Sequence, residues 1–118
     1  MENNLLIAIQ EYFEKIVKEK IKTWIEKGDE NKILNLSHLD LTELPDIPEN
    51  VKRLYCAGNR LTELKNLPNT LKELVCFNNQ LTELKNLPNT LKELVCSDNE
   101  LTELKNLPNT VRSKLLHD

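Results

Sequence analysis

Residues 61–80, LTELKNLPNTLKELVCFNNQ, and residues 81–100, LTELKNLPNTLKELVCSDNE, agree at seventeen of twenty positions. The three that differ stand close together: Phe77 against Ser97, Asn78 against Asp98 and Gln80 against Glu100. A fixed period of this length constrains the fold more than any other feature, because each unit becomes one supersecondary element that meets the same neighbours above and below. The period extends both ways. Residues 41–60, LTELPDIPENVKRLYCAGNR, form a more divergent copy, residues 101–118 begin another, and ILNLSHLDL upstream fits the end of one more.

Six apolar positions recur in each unit, for example Leu71, Leu74, Cys76, Leu81, Leu84 and Leu87, with polar residues almost everywhere between them. One coil cannot enclose such a set alone, so the coils must stack around a continuous core. The alternation around Glu73, Leu74 and Val75 suits a short strand, and equivalent strands of successive coils would pair in parallel about 4.8 Å apart. The return segment LKNLPNT is too short for a full helix, and Pro68, Pro88 and Pro108 push the residue before each toward extended geometry. A thin, extended back is predicted. Asn59, Asn79 and Asn99 share one position and are expected to turn inward and satisfy backbone groups where the chain leaves each strand; Leu39 takes that place in the first coil.

The segment LKELVCFNNQL has the leucine, apolar and asparagine spacing of a leucine-rich repeat. On that segment and on LNLSHLDLTELPDIPENVKRLYCAGNRLTELKNLP, the chain resembles leucine-rich repeat proteins with short, twenty-residue repeats. These are the repeats of bacterial effectors of the YopM and IpaH type and of giant-virus repeat proteins, and the likeness covers residues 31–110. The resemblance implies an α/β fold: a leucine-rich-repeat solenoid with short parallel strands on a concave face, an extended convex back and an N-terminal capping helix. It implies a non-enzymatic protein–protein interaction module whose partner, a protein, the sequence does not identify. The expected division is a capping helix over residues 1–30 and a solenoid of four to five coils over 31–118, in a single domain.

The capping helix has its own signal. Leu6, Ile9, Phe13, Ile16, Val17, Ile21, Trp24 and Ile25 follow helical spacing, Asn3 or Asn4 can cap the start, and Gly28 can end it. A helix is predicted from about residue 4 to 27, with residues 18–20 the place where it could break, and with Trp24 as the main plug over Leu34 and Leu36.

Several function classes are disfavoured. The net charge is -3 with lysines and glutamates interleaved, so the basic footprint of a nucleic-acid binder is missing. The N-terminal apolar run is five residues, too short for a signal peptide or a membrane span. A cytoplasmic protein without membrane association is expected, in the host cell cytoplasm if the effector or viral resemblance holds. Cys56, Cys76 and Cys96 occupy one position in three coils, with parallel side-chain vectors that suit neither a disulfide nor the paired ligands of zinc. Buried, reduced thiols are expected. The letters Cys96-Ser97-Asp98 resemble the catalytic C-x-D of the IpaH-type ligase domain, but Cys96 is a core position of a repeat, so the role is not carried over. His38 and His117 are isolated and expected on the surface, and only Gly28 and Gly58 are available for a phosphate loop. No catalytic residue, metal or cofactor is expected.

The outward strand positions form two columns: Ile33, Arg53, Glu73, Glu93 and Asn35, Tyr55, Val75, Val95. With Phe77 and Ser97, and Asn78 and Asp98, just beyond the strands, they make a face where a partner segment with apolar anchors and basic flanks could lie. The candidate partner-binding residues are Arg53, Tyr55, Glu73, Val75, Phe77, Glu93, Val95 and Asp98. The plainer reading is that strands favour β-branched and aromatic residues in any case. A second functional reading comes from TVRSKLLHD, which starts a fifth strand at Val111 and puts Lys114 where a core leucine belongs. An unpaired edge there would make this a structural or self-associating protein, a homodimer for example. The columns Glu63, Glu83, Glu103 and Lys65, Lys85, Lys105 are read as a solvated convex surface.

Overall fold

Each twenty-residue unit contributes one short strand, and the strands stack in chain order. The computed structural model describes residues 2–103, 105, 107–111 and 113–115. Helix α1 (Glu2–Lys27) is followed by β1 (Leu34–Asn35), β2 (Arg53–Tyr55), β3 (Glu73–Val75), β4 (Glu93–Val95) and β5 (Ser113–Leu115). They form one parallel sheet in the order β1-β2-β3-β4-β5. We number the coils one to five by their strands.

The register is one full repeat at every step. Leu34, Leu54, Leu74 and Leu94 align in a single column that continues to Lys114, which therefore stands in the leucine register of β5. Val111, expected at the start of the fifth strand, lies just before it. Hydrogen bonds between coils continue past the strand ends: the Cys56 and Gly58 N–H groups donate to Val75 and Phe77 carbonyls at 2.8 and 3.0 Å, and Lys72 N–H donates to Lys52 O at 2.8 Å. Backbone groups that one coil leaves open are thus closed by the next.

The inward residues are dry. Leu34, Leu36, Leu54, Leu61, Leu71, Leu74, Leu81, Leu91, Leu94, Val51, Cys56 and Cys76 are fully buried in one core. The back of the solenoid has no helix among the described residues. Each return segment instead closes with a turn in which the carbonyl of Pro48, Pro68, Pro88 or Pro108 accepts from the N–H three residues on. At this turn Thr70 Oγ1 donates to Glu49 O and Val51 O at 2.6 and 2.9 Å, and Thr90 Oγ1 repeats the pair one coil later with Asn69 O and Leu71 O at 3.0 and 2.7 Å. A threonine ladder therefore stitches the back.

The N-terminal end is closed by α1, which runs unbroken through residues 18–20. Val17 and Trp24 are buried in the common core, Phe13, Ile16 and Ile21 pack half-buried against it, and Trp24 Nε1 donates to Lys32 O at 2.9 Å. Gly28, left-handed at φ 65°, ends the helix with its N–H on Ile25 O. The helix is longer than the end it covers. Its 26 residues extend about 39 Å at the standard rise, and the first half projects beyond the core. Leu6 and Ile9, expected against the solenoid, are 58% and 41% exposed, and Ile25 is exposed as well.

Candidate functional site

The chain leaves β1, β2, β3 and β4 through the same tight bend. His38, Gly58, Asn78 and Asp98, twenty residues apart, all have left-handed φ angles of 59°, 66°, 57° and 53°. Asparagine, aspartate and glycine accept this conformation most readily. The change from Asn78 to Asp98, which the sequence marks as an edit of a free surface, is therefore also restricted by the backbone.

Inside the bend sits an asparagine. Asn59 Oδ1 accepts from the Leu39 and Leu41 N–H groups at 3.0 and 2.9 Å, while its Nδ2 donates to Leu36 O and Cys56 O at 3.0 and 3.1 Å. Asn79 and Asn99 repeat the arrangement, each bonding its own coil and the one before. This ladder holds the end of the strand face rigid.

The face itself is built from the outward strand side chains. Arg53 is exposed and its guanidinium lies 3.1 Å from Glu73 Oε1, while the Tyr55 hydroxyl donates to Glu73 Oε2 at 3.5 Å. Burial first, and then the Glu73 carboxylate, push the Tyr55 hydroxyl pKa above its ordinary value. Glu73 is thus shared between two partners and fixed. Val75 is only 8% exposed, aligned between Tyr55 and Val95. The expected open stripe of Tyr and two Val is therefore interrupted at its middle. Val95 is half-buried, and Glu93 and Asp98 are exposed. Phe77 is half-buried beside Ala57 on one side and Ser97 on the other, as the Gly58 N–H to Phe77 O and Asn78 N–H to Ser97 O bonds set it.

The structure thus joins Arg53, Tyr55 and Glu73 in one bonded group, places Val75 and Val95 beside it, and sets Phe77 and Asp98 at the C-terminal rim. A second pair across coils, Arg60 to Asp40 at 2.8 Å, lies on the same rim. Both pairs are opposite charges twenty residues apart, a signal that was present in the period.

Elsewhere the side chains offer little chemistry. Cys56, Cys76 and Cys96 form no disulfide and are buried. Burial pushes the Cys56 thiol up to about 12, and burial followed by the neighbouring Cys56 and Cys96 thiols raises Cys76 well above its ordinary value. Cys96 is also raised by burial. Cys96 points inward while Asp98 is exposed, so the C-x-D spelling brings no acid to a thiol. Among the described residues no group of three His, Cys, Asp or Glu side chains is arranged to hold a metal. His38 is exposed, and His117 lies outside the described residues. On the back, Glu63–Lys65, Glu83–Lys85 and Glu103–Lys105 pair within their own coils at 3.2 to 3.4 Å, which offsets the like-charge columns.

A family described as leucine-rich repeats, in two copies, matches residues 49–89. Among solved structures, the leucine-rich-repeat domain of a Shigella effector aligns at a TM-score of 0.79 and 28% identity, over 97% of this chain and 55% of that one. YopM from Yersinia enterocolitica WA-314 aligns at 0.72 and 30% identity, over 86% of this chain and 24% of that one. The chain thus spans about half of the first protein and a quarter of the second. No curated protein sequence matches significantly. These findings agree with the effector-type resemblance, and the fold is an α/β leucine-rich-repeat solenoid. Such domains typically serve as non-enzymatic scaffolds for protein–protein interaction. No helix among the described residues is long and apolar enough to cross a membrane.

Proposed function

We propose that this leucine-rich-repeat solenoid is a non-enzymatic interaction module that takes a protein partner on its concave strand face. The observation that supports this most is the combination of half-exposed Tyr55, Phe77 and Val95 on a sheet whose backbone is already satisfied by neighbouring coils and by the asparagine ladder. A rigid face loses little conformational entropy on binding, and an aromatic contributes large contact area. Arg53, Tyr55, Glu73, Phe77, Val95, Glu93 and Asp98 would touch the partner, with Val75 shaping the floor. The likeness to effector domains supports a site of action in host cytoplasm.

The test is capture of proteins from cell extract by the wild-type chain and by Tyr55→Ala/Phe77→Ser. A protein held by the first and lost by the second supports the reading. Capture that ignores both substitutions yet fails with Glu63→Lys/Glu83→Lys would move the site to the convex side. A second reading, self-association, is favoured by one observation: β5 ends the sheet order, with β4 as its only strand neighbour among the described residues. Sedimentation over a range of concentrations separates the two, since a concentration-independent monomer leaves only the first.

A further inference from the structure

We propose that the partner segment is basic: its lysine or arginine side chains lie along the C-terminal rim of the fourth coil, and its apolar side chains rest on Tyr55 and Phe77. This rests on the concave-face reading and adds the partner's chemistry to it.

Charge is unevenly spent along this face. In the first three coils the face and its C-terminal rim carry two bases, Arg53 and Arg60, and two acids, Glu73 and Asp40, and these pair with one another at 3.1 and 2.8 Å. The fourth coil carries Glu93, Asp98 and Glu100 there, all exposed, with no base on that face and no ion pair among the described residues. The face is neutral for three coils and acidic at the fourth.

The fold did not require those acids. The third and fourth coils are otherwise near-identical, and two of their three differences turn an amide into a carboxylate, Asn78 to Asp98 and Gln80 to Glu100. The backbone is the same in both: φ is 57° and 53° at the first position, and at the second the N–H donates to the Leu61 or Leu81 carbonyl at 2.9 Å in each coil. The substitutions change charge and leave geometry alone.

The third difference acts with them. Half-buried Phe77 and exposed Asp98 stand on neighbouring rims, which the Asn78 N–H to Ser97 O bond of 3.0 Å sets one rung apart, and Ser97 is the smaller residue at the position Phe77 takes one coil earlier. An aromatic face beside carboxylates suits a guanidinium or ammonium group, by cation–π attraction and charge-assisted hydrogen bonding. The acids do not converge on one ion. Glu93 lies on β4 and Asp98 in the bend beyond it, and among the described residues no three acids are arranged to hold one metal ion, which matches a run of side chains rather than a single cation. Exposed Lys72 and Lys92 stand one residue before β3 and β4 on the opposite edge, with Lys52, paired to Glu30 at 4.0 Å, before β2, so a basic segment is repelled beside the third and fourth coils and follows the C-terminal rim.

The test is selection from a random-peptide phage library on the intact chain, followed by affinity measurement of the enriched peptides by fluorescence polarisation. The variants borrow residues from neighbouring coils and so keep the fold, checked by circular dichroism: Asp98→Asn/Glu100→Gln copies the third coil, and Phe77→Ser copies the fourth. Enriched peptides are expected to place Lys or Arg beside an aromatic or aliphatic residue. Their affinity should fall by about threefold to tenfold on Asp98→Asn/Glu100→Gln, should fall with added salt, and should also fall on Phe77→Ser. Peptides that need Phe77 but carry no base, or that need Phe77 and bind Asp98→Asn/Glu100→Gln unchanged, overturn this inference and leave the concave-face reading standing. Peptides indifferent to every one of these variants, or no enrichment at all, overturn both.

Discussion

The imidazole of His38 occupies the space in which a side chain at Gly58 would begin, so that an added Cβ would collide with its Nδ1 and Cε1 atoms. Both residues are left-handed and occupy the same bend in successive coils. Gly58→Ala is expected to cost about 1–2 kcal/mol from the left-handed backbone alone, plus the displacement of a ring that is exposed and can swing away. In a His38→Ala background only the backbone part should remain. Urea denaturation of the four chains of this cycle checks it: a coupling above about 0.5 kcal/mol is expected, and strict additivity would show that the ring does not rest there.

Asn79 is buried and donates to Cys56 O and Cys76 O at 3.0 and 3.1 Å while accepting from Leu61 N–H at 3.0 Å. Asn79→Leu keeps the branched four-atom outline of the side chain and orphans these backbone groups. At 1–3 kcal/mol for each unsatisfied buried group, partly relieved by relaxation, the loss should be about 3–5 kcal/mol. Asn99, which makes equivalent bonds but is only half-buried, should lose less on the same change because water can replace part of its role. Equal losses at the two positions in chemical denaturation would contradict the ladder as the source of the stability.

Trp24 and Ile9 belong to the same apolar stripe in sequence but to different environments. Trp24 is buried against the first coil and bonded to Lys32 O, whereas Ile9 is on the projecting half of α1. Trp24→Ala should cost about 3–5 kcal/mol, and Ile9→Ser should stay within about 0.5 kcal/mol. Thermal melts followed by circular dichroism distinguish the two. A comparable loss at Ile9 would place the first half of the helix against the core.

The period made the stacking, the leucine register, the inward cysteines and the asparagine ladder readable in advance, because each depends only on what recurs every twenty residues. Features that depend on two coils differing were harder to see. The Arg53–Glu73 pair arises because the second coil departs from its copies, and it neutralises an acid that otherwise looks available to a partner. Val75 looks as open as Tyr55 by its place in the column, yet it lies mid-sheet between Tyr55 and Val95 and is buried there. The threonine ladder was missed for another reason: Thr70 and Thr90 sit in a polar loop sequence, and nothing local tells a capping hydroxyl from a solvated one. Helical periodicity likewise reports which residues share a face and is silent on how far the covered surface extends, hence the exposed Leu6 and Ile9.

The thiol column should make stability fall in alkali. Burial holds Cys56 at about 12 and raises Cys76 and Cys96 above the ordinary value of 9.0. In the unfolded chain these thiols ionise near that ordinary value. Above it the unfolded state has released protons that the folded state keeps, so the stabilising contribution is complete below about pH 9 and is lost progressively toward about pH 12, at up to about 1.4 kcal/mol per pH unit for each thiol. Lysines and tyrosines titrate in the same range, so the measurement must be differential. Urea unfolding of the wild type and of Cys56→Ala/Cys76→Ala/Cys96→Ala, under reducing conditions, compares chains that share every other titrating group. At about pH 8 the variant should be the less stable of the two, because it has lost buried volume. By about pH 10 the gap should narrow, since only the wild type bears the linkage with its thiols. Parallel curves across that range would mean that the sulfurs reach water in the folded chain, and the stacked core would have to be redrawn.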